Sequence, residues 1–269
     1  MAKKARKTAI RKPRRKFIVG IVLYPDFDLL DVAGPYDVFT FFDGEIINRE
    51  VQVITVAEHK APLAASGGLL VTASHDFRSC PPIDLLFVPG AGPGMTTTIA
   101  NDRFLQFLRR AAGHSRYVTS VCTGAILLAS AGLLDGYRAT THWSCLDCLK
   151  LFPKVAVVNG CPRYVHDRNR ITGGGISSTV DESLFMVETI VTDMTGDAGE
   201  GAQASKRVQL SIQYNPQPPY AGGDPCSVDY GVYAPVAAGM QSFRDTICRA
   251  VAHRIGAGSS ASGSANSRV

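Results

Sequence analysis

The chain lacks most of what the commoner functional classes need. No apolar run approaches the roughly 20 residues that span a bilayer. The best candidate, residues 125–134, is ten residues long, so a membrane-spanning helix is not expected. No apolar stretch precedes Phe17 to serve as the core of a secretory signal. No phosphate-binding loop with Lys-Ser/Thr and no dinucleotide fingerprint is found. Acid is missing altogether from residues 1–16, which hold nine Lys or Arg; the remaining 19 basic and 23 acidic residues leave a body at −4 beneath a formal charge of +5. A mildly acidic body is a poor polyphosphate binder. The first 16 residues read as a solvated, disordered basic arm, and any nucleic-acid contact is confined to it.

What is present describes a globular chain: 269 residues, 45% hydrophobic and 19% charged. That length buries a full core without staples. Seven cysteines are an odd number, and without a signal peptide they point to free thiols in a reducing cytoplasm, not to a disulfide framework. Cys145 and Cys148 match C-x-x-C, but no second pair stands at zinc spacing, so they read as two residues of a helix and no metal site is expected.

Apolar patterning alternates strand and helix. Residues 17–24 (FIVGIVLY), 51–56, 84–88, 117–121, 155–159 and 164–172 read as strands. Residues 28–42, 101–112, 123–131, 141–152, 177–194 and 205–214 read as helices, with Asn101 as an N-cap and Pro35 as a kink or a first-turn residue. Residues 69–72, after Ser66-Gly67-Gly68, look like part of a hairpin. This order predicts an α/β, flavodoxin-like three-layer sandwich around a mostly parallel sheet. Residues 17–222 are expected to form the catalytic domain. Residues 223–255 form a C-terminal extension with one helix over 235–255, and the Gly/Ser/Ala-rich 256–269 a flexible tail.

Ligands of such sheets sit beyond the carboxyl ends of the strands, which directs attention to the loops after Tyr24, Val88 and Val121. Cys122 ends one strand and at once opens a helix. A tight elbow there lifts the side chain above the sheet and sets its sulfur at a helix N-terminus, where a thiolate is favoured. Asp31, flanked by Leu30 and Val32, is expected to be half-buried beside the first strand, with a raised pKa suited to proton transfer. Asp26, Asp28 and Asp37 read as a loop residue, an N-cap and an exposed helix residue. The loop Pro89-Gly90-Ala91-Gly92 offers backbone N–H donors. Gly173-Gly174-Gly175 reads as a place where backbones pass closely. His142 and Trp143, the only Trp, mark a further candidate segment.

Together these motifs resemble the ThiJ/PfpI family, relatives of class I glutamine amidotransferases. The carriers are Asp31-Val32-Ala33-Gly34-Pro35, Val88-Pro89-Gly90, Thr119-Ser120-Val121-Cys122-Thr123-Gly124, Arg138-Ala139-Thr140-Thr141-His142-Trp143 and Ile171-Thr172-Gly173-Gly174-Gly175-Ile176. Cys122 followed by Thr123, Asp31, and Gln213-Tyr214-Asn215-Pro216 are similar to the family's isonitrile hydratases in particular. The resemblance implies hydration of an isonitrile to an N-substituted formamide without a cofactor, by a cytoplasmic homodimer. It implies Cys122 as nucleophile, Asp31 as acid and base, Thr123 holding the adduct, and Gly90, Ala91, His142 and Trp143 lining the substrate site. Where the family usually shows Pro-Gly-Gly, this chain has Ala91, which puts that donor in question if the position needs a positive φ. Other chemistry of the family (amidase, peptidase, glyoxalase or deglycase), an AraC-type ligand-sensing module and a redox sensor stay open.

Overall fold

The computed structural model describes residues 15–263. Its first half runs β1 (Phe17–Val22), α1 (Leu29–Thr40), β2 (Val51–Ala57), the hairpin β3 (Pro62–Ala64) and β4 (Leu70–Thr72), β5 (His75–Asp76), β6 (Leu85–Val88), α2 (Met95–Ala100) and α3 (Asp102–Ala112). There follow β7 (Tyr117–Ser120), α4 (Gly124–Ser130), β8 (Arg138–Ala139), α5 (Leu146–Lys150), β9 (Ala156–Val157), β10 (Tyr164–Asp167), β11 (Arg170–Gly173), α6 (Ser178–Thr195), α7 (Ala198–Ser211) and α8 (Tyr230–Gly263). Seven strands make one sheet in the order β10-β11-β7-β6-β1-β2-β5. Every pairing in it is parallel except β10 with β11. The expected three-layer α/β architecture is observed.

The central strands are unbroken apolar runs because both faces of the sheet are covered. Leu85 and Phe87 of β6 point into one core with Val19, Ile21, Val32, Phe39 and Val187, between the sheet and α1, α6 and α7. Leu86 and Val88 point the other way, into a core with Ile99, Leu105, Ile126 and Leu128 beneath α2, α3 and α4. Asn101 caps α3 by accepting from the Phe104 N–H at 3.1 Å. Pro35 stands in mid-helix, not in the first turn, so the carbonyl of Asp31, four residues earlier, has no N–H to bond there. Helix α2 was not anticipated, because the Gly-Pro-Gly before it reads as loop. Helix α7 starts earlier than predicted: Gly196 closes α6 in the left-handed conformation at φ 80° and Asp197 caps α7 through Gly199 and Glu200.

Three expectations are corrected at the chain's ends and cysteines. Arg15 and Lys16, assigned to a free arm, pair with Asp84 at 3.0 Å and Glu50 at 2.7 Å; the rest of the arm, residues 1–14, lies outside the described residues. The C-terminal helix does not run from 235 to 255 but begins at Tyr230 and reaches Gly263. It packs on α2, α4 and α5 and buries Ile247 and Val251 in the same core as Ile126, each contributing roughly 1.5–3 kcal/mol. Finally, four cysteines are paired. Cys148 of α5 bonds Cys248 of α8, and Cys161 bonds Cys226, across separations of 100 and 65 residues. Disulfides persist in oxidising surroundings, so the cysteine argument for a reducing compartment falls. Among the described residues no helix is long and apolar enough to cross a membrane.

Alkylation of the denatured, unreduced protein should therefore label three thiols, Cys80, Cys122 and Cys145. Prior reduction should raise the number to seven. Replacing Cys148 and Cys248 by Ala should lower unfolding stability by roughly 2–4 kcal/mol; seven labelled thiols before reduction would contradict the pairing.

Candidate active site

The site is built on the turn from β7 into α4. Val121 still bonds the sheet, its N–H donating to the Val88 carbonyl at 3.1 Å, and the Gly124 N–H already bonds back to Val121 at 3.0 Å. One residue, Cys122, makes the reversal, at φ 54°, a conformation that costs a non-glycine residue of order 1–3 kcal/mol. The expected elbow is present. The loop after β6 passes so close that a Cβ on Gly90 would lie 2.6 Å from Cys122 Cβ and 2.8 Å from its sulfur. Gly124 is hemmed in likewise, a Cβ there meeting the Pro89 carbonyl oxygen at 2.7 Å.

Two carboxyls meet the sulfur. One oxygen of Asp28, one of Asp31 and the Cys122 sulfur all lie within 4.8 Å of one another, close enough to share protons or to enclose a cation. Asp31 is fully buried. Its Oδ2 accepts the Gly90 N–H at 2.8 Å, and its Oδ1 has no partner among the described residues. Burial first, and the neighbouring Asp28 second, push Asp31 well above the usual carboxylate range. Asp28 is not the plain N-cap expected: its side chain makes no capping bond and instead accepts from the Cys122 thiol at 3.8 Å. Burial raises its pKa as well, offset by bonds from Cys122 and Ser66. The thiol departs from expectation in the same way. Burial, then Asp31 and Asp28, raise Cys122 well above the ordinary thiol value, and the Thr123 N–H only partly opposes them. The helix N-terminus does not outweigh two carboxyls and the loss of water.

The remaining candidates divide. Gly90 and Ala91 lie against the sulfur's loop, but their N–H groups are taken, by Asp31 and by Thr123 Oγ1 at 3.0 Å. They position other groups and are not free donors to a ligand. Ala91 is not among the residues at positive φ, so the side chain costs nothing there. His142 and Trp143 line a cavity of about 430 Å³ with Leu30, Thr141 and Ile176. The cavity's lining does not include Cys122, which is 4% exposed; Thr141 and His142 of the lining bond the Cys122 carbonyl at 2.8 Å and 3.2 Å. Burial lowers His142 to about 4, and its Nδ1 accepts from the Ser144 N–H at 3.3 Å. It is a neutral turn residue.

Residues 18–190 match the DJ-1/PfpI family. The chain belongs to that family. This DJ-1/PfpI chain is 37% identical over 207 residues to an isonitrile hydratase of Pseudomonas putida, covering 77% of this chain and 82% of that one. It is 30% identical over 171 residues to the HTH-type transcriptional regulator GbdR of Pseudomonas aeruginosa, covering 63% of this chain but only 45% of the regulator. Among solved structures, a ThiJ/PfpI family protein from Pseudomonas syringae superposes with a TM-score of 0.76 at 26% identity, over 93% of this chain and 97% of that one.

Within this DJ-1/PfpI domain the structure adds groups that sequence reasoning passed over. Tyr24, just past β1, is buried and donates to the Pro89 carbonyl at 2.6 Å. Its position at a strand's carboxyl end was the available signal. Glu182 of α6 is fully buried; one carboxyl oxygen accepts from Thr119 and the other, Oε2, has no partner among the described residues. Burial raises its pKa well above the usual range, opposed by Thr119 and reinforced by Asp31.

Asp31 and Glu182 both hold protons more tightly folded than unfolded. Their contribution to stability is fully present below the unfolded values near 3.8 and 4.5 and is lost as pH rises toward the raised folded values. Glu182→Gln keeps the shape without the ionisation. In urea unfolding between about pH 5 and 8, the variant should lose stability with pH less steeply than wild type, by up to about 1.4 kcal/mol per pH unit. Parallel curves would show that Glu182 does not titrate differently on folding.

Proposed function

We propose that the chain hydrates an isonitrile, R–N≡C, to the N-substituted formamide. The observation that carries this is the meeting of Cys122, Asp28 and Asp31 beside a cavity walled by Leu30, Trp143 and Ile176. Identity to an isonitrile hydratase over 82% of that enzyme supports it. As the sulfur attacks the terminal carbon, Asp28 takes the thiol proton and Asp31, the more deeply buried acid, gives its proton to the same carbon. The product is a thioimidate, R–N=CH–S–Cys122. Water then adds to that carbon, its proton passing to Asp31, while Asp28 returns its proton to nitrogen. Collapse of the adduct releases R–NH–CHO, and the hydroxyl proton returns to sulfur through Asp28. Atoms and charges balance, and both carboxyls finish as they began.

The unequal burial of the two acids sets their parts: the half-buried Asp28 serves as base and Asp31 stays the acid. Thr123 fixes the loop through its hydroxyl and touches the sulfur with its N–H. Substrate reaches the thiol when the Thr141–His142 turn yields. A homodimer belongs to the same proposal, α1 exposing Leu29, Leu30 and Tyr36 and its C-cap exposing Phe41. The hydrolytic readings lose a partner for the thiol, since His142 is neutral and engaged by Ser144. The ligand-sensing reading rests on the similarity to GbdR.

Purified protein mixed with cyclohexyl isocyanide should yield the formamide. Cys122→Ala and Asp31→Asn should abolish turnover with the fold intact, and Asp28→Asn should slow it about 10²–10⁴-fold. The rate should rise as Asp28 ionises and fall as Asp31 loses its proton, giving a bell-shaped profile whose acid limb vanishes in Asp28→Asn. A wild-type protein without turnover that shifts DNA would favour the sensing module instead.

A further inference from the structure

The outer wall of the cavity comes from beyond the residues that match the family. Gly223, Asp224 and Pro225 line it, facing Trp143 and Ile176. The same three residues, with Trp143, also line a second hollow of about 140 Å³, together with Val228, Val232, Tyr233 and Val236. The segment therefore borders both spaces. It is held at its end by Cys226, bonded to Cys161, itself on the cavity's rim. Asp224 stiffens it, accepting the Cys226 N–H at 2.8 Å and the Ser227 hydroxyl at 2.7 Å. Behind it, Tyr233 of α8 packs on Trp143, and Cys148–Cys248 anchors α8 to the body.

We propose that this tethered segment, residues 222–226, determines specificity by gauging the length of the R group, and that the Cys161–Cys226 bond sets the gauge. With the tether intact the cavity takes compact R groups. With it cut, the wall retreats into the hollow behind, the two spaces join, and longer apolar chains enter along Val228, Val232 and Val236. The proposal deepens the isonitrile reading and rests on it for the name of the ligand, but not for the geometry of the wall.

The test measures binding, not turnover. Trp143 is the only tryptophan and faces both hollows, so its fluorescence reports their filling. N-alkylformamides of increasing chain length are titrated into wild type and Cys161→Ser/Cys226→Ser. In wild type, affinity should rise about fourfold per added methylene and then stop rising where the chain meets the wall. In the double variant the rise should continue past that length, with N-cyclohexylformamide binding within about twofold of wild type. Should the variant not fold, mild phosphine reduction of wild type opens the same bond selectively, since Cys226 is exposed while Cys148 is buried. The same break-point in tethered and cut protein, or uniform weakening of every ligand, would overturn the proposal. A shifted break-point in a protein that hydrates no isonitrile would sustain the gauge and sink the isonitrile reading alone.

Discussion

The close approach of two loops at the carboxyl end of the sheet is the constraint on which the site depends. Gly90 lies against the Cys122 side chain with no room for a Cβ, and through it three groups are set at once. Its N–H holds Asp31, its carbonyl accepts the Asp28 N–H at 2.9 Å, and its backbone packs against the Cys122 side chain. A positive-φ cysteine, a buried carboxyl and a half-buried one would each destabilise an isolated loop. Here they persist because β6, β7 and the start of α1 are fixed by packing on both faces of the sheet. The strain and the missing solvation sit in the same few residues, which is the usual mark of a functional site.

That arrangement alters the ordinary picture of a cysteine at a helix N-terminus. The dipole and one N–H favour the thiolate, but burial and two carboxyls oppose it more strongly and raise the thiol's pKa, with Asp28 beside it as acceptor. With the three groups within 4.8 Å of one another, an apparent pKa measured on the cluster would not belong to one of them alone. Glu182 extends the same condition deeper, a carboxyl surrounded by core with one oxygen unpartnered among the described residues.

Cys122 and Asp31 could be read from the sequence because each breaks a local pattern: a strand becoming a helix across one residue, and an acid inside an apolar run. Asp28 broke none. Capping is a sufficient reason for an acid before a helix, and only the folded chain shows the capping bond unmade and the carboxylate turned to sulfur. Glu182 was hidden for a similar reason, since among Thr179, Asp181 and Ser183 it looks like the outer face of α6. The flavodoxin-like order was legible because covered parallel strands are continuous apolar runs. The disulfides were not, since partners 100 and 65 residues apart have no local signature, and an odd total argued against pairing. The Gly/Ser/Ala-rich composition of the last segment likewise concealed a helix whose earlier turns are anchored by Ile247 and Val251.

Helix α8 fixes the extension to the body of the chain. Its core contacts and its bond to α5 give the Pro/Gly-rich segment before it a fixed end, and Cys161 gives that segment a second fixed point. A stretch of irregular backbone held at two points can keep a defined shape although few of its own side chains are buried. The family-matching residues thus bring Cys122, Asp28 and Asp31 together beneath the hollow, while Gly223, Asp224 and Pro225 of the extension contribute to its lining. On the proposed reading, chemistry and selectivity reside in different parts of the chain: a change in the wall would alter which R group fits without disturbing the Gly90–Cys122 contact, and a change at the elbow would remove the reaction without reshaping the wall.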